Sequence, residues 1–141
     1  MLQSFFLFRN NFVGWIPSGL AACQYLQIIS LSHNTFVDAV PTWLAQLPQI
    51  NALYLGANQI IGTIPDVLFP ISPVLLCLTF LSPTPQGGFQ EYMQELSFLN
   101  LGVNFLAGPV PSSLGNLSKL SYLQLSTNSL SGSVQEALGS I

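Results

Sequence analysis

The sequence predicts a solenoid of stacked, similar turns, each opening with a short strand. Three observations carry that expectation. Asn10, Asn34, Asn58, Asn104 and Asn128 follow one another at intervals of 24, 24, 46 and 24 residues, and a fixed period in this range marks a repeat array. Before each asparagine, apolar residues alternate as LxL, the period-two signature of a strand with one buried face. After it comes a block of the type Gly-x-(Ile/Val)-Pro, which punctuates the chain at a constant offset.

Aligned on the asparagines, the turns read LQSFFLFRNNFVGWIPSGL, LQIISLSHNTFVDAVPTWL, INALYLGANQIIGTIPDVL, LSFLNLGVNFLAGPVPSSL and LSYLQLSTNSLSGSVQEAL. They share the rule LxxLxLxxNxLxGxIPxxL. Each part has a physical role. Leu31, Leu55, Leu101 and Leu125, with Ile29, Leu53, Leu99 and Leu123, are expected to stack along the interior. A side chain of this size contributes roughly 1.5–3 kcal/mol when fully buried. The asparagine ends the strand, where its amide both donates to and accepts from the turning backbone. Gly14, Gly62, Gly108 and Gly132 suit a tight backbone position. Pro17, Pro41, Pro65 and Pro111 restrict φ and bias the preceding residue to extended geometry. A second short extended segment is therefore expected before each proline. The following xxLxxL reads as one helical or 3-10 turn on the outer side.

This pattern resembles the plant-type leucine-rich repeat, the 24-residue class marked by its LxGxIP block. The resemblance covers the chain except for one stretch. It implies an α/β-type solenoid, a right-handed horseshoe with short parallel strands on the concave face and 3-10 or short helical turns on the convex face. The chain then divides into a single array with repeats of about 2–25, 26–49, 50–73, 96–119 and 120–141, and an irregular 74–95.

Departures from the rule are specific. Asp38 stands in a glycine position and Gln135 in a proline position. Between Phe69 and Met93 the rule fails: counting from Asn58 puts Ser82 in the asparagine slot, and counting back from Asn104 puts Phe80 there. The interval of 46 is two short of a double period, so a damaged repeat is expected in that stretch, produced by an altered coding frame or aberrant splice. The alternative is a tolerated irregular loop. Repeat arrays need polar caps, and a plant-type cysteine-paired cap is not seen before the first repeat. The chain therefore reads as an internal piece of a longer array, poorly soluble or oligomeric when isolated.

Composition excludes several function classes. Half of the residues are hydrophobic and 5% are charged, with Arg9 and Lys119 the two cations against five acids. Two cations cannot form the basic stripe that replaces phosphate counterions, so no nucleic-acid partner is expected. The composition is too apolar for disorder. Cys23 and Cys77 are too few for a disulfide framework and read as two free, buried thiols. The N-terminal residues are already in repeat register and do not read as a signal peptide. The apolar stretch from Val67 to Leu81 is interrupted by Pro70 and Pro73 and is too short to span a bilayer, so this segment itself is expected to make no membrane contact.

Catalysis finds no support either. The single histidine, His33, sits just before a framework asparagine, and a pairing with Asp38 has no third partner defined by spacing. Glu91 and Glu95 lie in the irregular stretch and read as a solvated pair. One histidine and two distant cysteines make no metal cluster, and no phosphate loop or kinase block occurs. No cofactor and no metal site are expected. A parent receptor kinase would carry its kinase domain outside this chain.

Binding is the better reading. The x positions beside the buried leucines are expected to face outward from the strands in columns. One column is Phe6, Ser30, Tyr54, Asn100 and Gln124; the next is Phe8, Ser32, Gly56, Gly102 and Ser126; a third is Arg9, His33, Ala57, Val103 and Thr127. They vary while the framework stays constant, as a recognition surface on a rigid scaffold does. The face is nearly uncharged and suits an extended peptide or protein edge, with Phe6 and Phe8 as anchors. Asn116-Leu117-Ser118 is an N-glycosylation sequon in the outer turn. The resemblance implies a fragment of a leucine-rich-repeat receptor-like kinase ectodomain, extracellular at the plasma membrane, that binds a peptide or protein ligand or a co-receptor of the same repeat class. Alternatives are a secreted inhibitor of a cell-wall enzyme and a truncated, purely structural product.

Overall fold

The computed structural model describes residues 1–69, 93–134 and 138. Each LxL segment forms a three-residue strand: β1 (Ser4–Phe6), β3 (Ile28–Ser30), β5 (Ala52–Tyr54), β7 (Phe98–Asn100) and β9 (Tyr122–Gln124). Between them lie β2 (Val13–Gly14), β4 (Thr35–Phe36), β6 (Ile61–Gly62), β8 (Phe105–Pro109) and β10 (Ser129–Ser131). The odd-numbered strands make one parallel five-stranded sheet in the order β1-β3-β5-β7-β9. Its register places Phe5, Ile29, Leu53, Leu99 and Leu123 in one row. In the three middle turns these residues are fully buried, as are Leu31, Leu55 and Leu101. Leu125, in the last turn, is half-buried because only one side of it is covered.

The asparagines bind consecutive turns together. Asn58 Nδ2 donates to Leu55 O in its own turn (3.0 Å) and to Leu31 O in the preceding one (3.1 Å). Its Oδ1 accepts from the Phe36 amide at 3.2 Å. Asn34, Asn104 and Asn128 repeat this arrangement on Leu7, Leu55 and Leu101, and on the amides of Phe12, Ile60 and Leu106. The side chain therefore substitutes for the strand ladder where the ladder stops.

Past the asparagine, the even-numbered strands form a second parallel tier. Gly14, Gly62, Gly108 and Gly132 there have φ of +80° to +85°, a region closed to most side chains. Asp38 avoids that region, and the tier breaks beside it into a β2-β4 pair and a β6-β8-β10 sheet. A single bridge, Ala39 to Ile61, joins the two. The Asp38 carboxylate compensates by accepting from the Ile16 amide of the previous turn (3.0 Å) and from the Ala39 amide (2.8 Å). Gln135 lies outside the described residues.

After the prolines, at extended geometry, come 3-10 turns over Ser18–Ala22, Thr42–Gln46, Asp66–Leu68 and Ser112–Asn116. Each returns the chain beneath the core. Cys23, expected to be a buried thiol, is free and half-buried at the end of the first of these turns; Cys77 lies outside the described residues.

The 46-residue interval is resolved by the pairing of the strands. β5 pairs directly with β7, Leu53 opposite Leu99, so no damaged repeat contributes a strand between them. Met93 takes the place that Leu47 and Leu117 hold in regular turns. Its amide donates to Leu68 O as Leu47 does to Leu44 O, and Leu96 donates to Met93 O as Ile50 does to Leu47 O. Met93 is buried like both leucines. One position of a regular turn is thus served by residues 70–92, a surplus of 22 residues over the 24-residue period. The expected damaged repeat, with Ser82, Phe80 and Glu91, lies outside the described residues; the direct pairing of β5 with β7 shows that no further strand of the sheet stands between them. Surface insertions cost a closure entropy that grows slowly with length. Deleting residues 70–91, which leaves Tyr92 in the single position, is expected to preserve the fold and hold or raise the melting temperature. A circular-dichroism melt checks this, and a deletion product without a cooperative transition contradicts it.

Candidate recognition surface

Strand alternation presents two columns, not one, on the open face of the five-stranded sheet. Besides Phe6, Ser30, Tyr54, Asn100 and Gln124, the first residues of the strands face outward: Ser4, Ile28, Ala52, Phe98 and Tyr122. The latter column was not singled out from the sequence, although the same period-two rule contains it. It supplies the main aromatic feature of this face. Phe98 and Tyr122, in register across β7 and β9, stack with ring centroids 4.0 Å apart and planes at 7°. Tyr54 joins from β5 at 4.7 Å from Phe98.

The other expected columns lie beyond the strand ends. Gly56 and Gly102 make room for neighbours: a Cβ at Gly56 would meet Asn100 Oδ1 at 2.6 Å, and one at Gly102 would meet Gln124 Cγ at 2.8 Å. Asn100 and Gln124 therefore lean over the preceding turn. The Asn100 carbonyl oxygen accepts from the Gly102 amide at 3.0 Å, and Gln124 Nε2 donates to Ser126 Oγ at 2.9 Å. These polar groups already have partners within the chain. Ser30, flanked in register by Phe6 and Tyr54, is buried and offers little to a ligand. Ser32 Oγ is buried without a hydrogen-bond partner among the described residues. Phe6 and Phe8 are exposed on the first turn.

Arg9, His33, Ala57, Val103 and Thr127 all adopt left-handed backbone, with φ of 55° to 58°. For β-branched Val103 and Thr127 this conformation is costly. It persists because paired amides hold it: Val103 N donates to Ser126 O at 2.8 Å and Asn104 N to Thr127 O at 3.2 Å, as equivalent residues do in the turns before. This column is a turn at the rim of the sheet, not part of its face. His33 is exposed in it and Asp38 is committed to the Ile16 amide. Among the described residues there is no group of three or more His, Cys, Asp or Glu side chains placed to hold a metal. Glu95 pairs with Lys119 of the next turn at 2.6 Å, an exposed contact of little energetic weight.

Residues 25–47 match the Leucine Rich Repeat family profile. Among curated proteins, none matches the sequence significantly. Solved structures match over almost all of its length. The plant peptide hormone receptor RGFR1, in complex with RGF2, is 28% identical with a TM-score of 0.77, over 96% of this chain and 19% of that one. The fold is a leucine-rich-repeat solenoid. The ectodomain of the Arabidopsis thaliana membrane receptor kinase GASSHO1/SCHENGEN3, in complex with CASPARIAN STRIP INTEGRITY FACTOR 2, is 29% identical with a TM-score of 0.71, over 91% of this chain and 13% of that one. A chain of the Arabidopsis thaliana BIR3–SERK2 complex is 29% identical with a TM-score of 0.70, over 90% and 56%. The solenoid thus spans only a part of each of these neighbours. No helix among its described residues is long and apolar enough to cross a membrane.

Proposed function

We propose that this solenoid is a non-catalytic recognition module, part of a receptor-like kinase ectodomain, that holds an extended peptide or protein segment on its concave sheet. One observation carries the reading: the sheet face is free of charged side chains and gathers Tyr54, Phe98 and Tyr122 into one aromatic cluster. Such rings are efficient anchors because they bury large area at low entropic cost. The RGFR1 structure, a plant peptide hormone receptor in complex with RGF2, supports the choice of ligand class, and the BIR3–SERK2 complex supports a protein partner as the alternative ligand or co-receptor. An extracellular location and a glycan on Asn116, at the end of an outer 3-10 turn away from the sheet, belong to the same proposal.

Peptides selected from a random library against the immobilised chain test it. Tyr54→Ala and Phe98→Ala are each expected to weaken the selected peptide at least about tenfold, roughly 1.4 kcal/mol. Asn100→Ala should cost less, because its oxygen is already engaged. Trp15→Ala, on the other tier, should change nothing. Affinity indifferent to both aromatic substitutions would remove the concave face from the function.

A further inference from the structure

The side-chain amide of Asn100 is seated in one orientation. Asn100 closes β7 on the open face of the sheet, after Phe98 on the same strand and in register with Tyr54 on β5 and Gln124 on β9. The Gly102 amide lies 3.0 Å from one of its terminal atoms. A backbone amide only donates, so that atom is the oxygen. The same oxygen rests on Gly56, where a Cβ would stand 2.6 Å from Oδ1 and 3.1 Å from Cγ. Nδ2 is thereby left as the outward end of the carboxamide. It makes no bond among the described residues, where Ser32 Oγ is the one buried side-chain polar atom without a partner. Asn100 Nδ2 is therefore open to a ligand.

Gln124, next along the same row, is held in another way. Its Nε2 meets Ser126 Oγ at 2.9 Å. A hydroxyl both donates and accepts, so this contact survives whichever end of the Gln124 amide faces it. Asn100 offers an incoming group a donor only, whereas Gln124 can offer a donor or an acceptor. The fixed donor also stands within the outline of the aromatic cluster: Tyr54 flanks it in register, and Phe98, which stacks on Tyr122, lies on its own strand. Rings supply buried area with little direction. A single directed N–H beside them supplies the direction.

Resting on the concave-face reading above, we infer that Asn100 sets the position of the bound segment by donating Nδ2–H to one of its main-chain carbonyls, beside the residue that the aromatic cluster anchors. A carbonyl is present at every residue of a peptide, so this contact reads the backbone and leaves selection of the side chain to Tyr54, Phe98 and Tyr122. A carboxylate is the wrong acceptor, because no cation on the sheet face would offset its desolvation.

The test uses a library-selected peptide without charged side chains, acetylated and amidated so that its termini are neutral. Asn100→Asp keeps the acceptor for the Gly102 amide and turns the free end from donor to acceptor. It is expected to weaken binding at least about tenfold, and by more than Asn100→Ala, which removes the donor without adding an opposing oxygen. Gln124→Glu makes the same change of charge, yet the Ser126 hydroxyl can donate to it, so a change of less than about threefold is expected. Replacing single carbonyl oxygens of the peptide by sulfur, a poorer acceptor, should find one position that weakens binding to the wild type and not to Asn100→Ala. Circular dichroism checks that each variant is folded. Asn100→Asp no worse than Asn100→Ala, a loss at Gln124→Glu equal to that at Asn100→Asp, or no sulfur position coupled to Asn100 would overturn the inference. If Tyr54→Ala and Phe98→Ala weaken the same peptide beside one of those results, the concave-face reading stands without it. If neither aromatic substitution matters, both fall together.

Discussion

Asn104→Ala is expected to lower the unfolding free energy by about 2–5 kcal/mol, a large share of the 5–15 kcal/mol typical of a domain. The substitution strands the buried Ile60 amide and removes donors from Leu55 O and Leu101 O. Each buried polar group left unpaired costs about 1–3 kcal/mol. Asn104→Asp separates the two halves of the role. It keeps an acceptor for Ile60 but turns oxygen against two carbonyls, so its loss should equal or exceed that of alanine. Asn10→Ala is the internal control: it is exposed, and its bonds are confined to its own turn, so less than about 1 kcal/mol is expected. Urea unfolding followed by circular dichroism compares the three. Equal losses at Asn10 and Asn104 would show that cross-turn bonding is not what the asparagine supplies.

Met93→Ala is the second large effect, about 2–5 kcal/mol, the range for truncating a buried methionine. Met93 is fully buried and bonded into the return path exactly one turn-equivalent from Leu47 and Leu117. Its neighbour Gln94 is exposed, and Gln94→Ala should fall within about 0.5 kcal/mol of wild type. If the two variants unfold at the same urea concentration, Met93 does not re-enter the core, and the insertion does not end where the hydrogen bonds place it.

The framework was legible because it repeats. A leucine that recurs every 24 residues beside an asparagine has one physical use, and the observed register places Ile29, Leu53 and Leu99 in the row the alignment implies. The irregular stretch was read with two alternatives, a damaged repeat or a tolerated loop. Counting a period assumes that every residue belongs to a turn, so an interval of 46 read as a spoiled double repeat. The pairing of Leu53 with Leu99 shows that the interval adds no strand to the sheet. The face was read in part. Tyr54 was in the chosen column, but Phe98 and Tyr122 were passed over, although alternation alone points them the same way. Asn100 and Gln124 each have one side-chain atom bonded within the chain, and Ser30 is buried, which the sequence did not show. Val103 and Thr127 carry no local preference for left-handed backbone; at Val103, amide bonds to the next turn hold it, and Thr127 O accepts from Asn104 N of the turn before.

The sequence by itself determined the period, the buried rows, the bonding role of the asparagine and the near absence of charge, because each depends on residue type at a constant spacing. Tertiary structure alone decided which strands are neighbours and that Tyr54, Phe98 and Tyr122 form one cluster. Those properties arise between turns, from groups brought together across 24 or more residues of chain, where no local pattern records the contact.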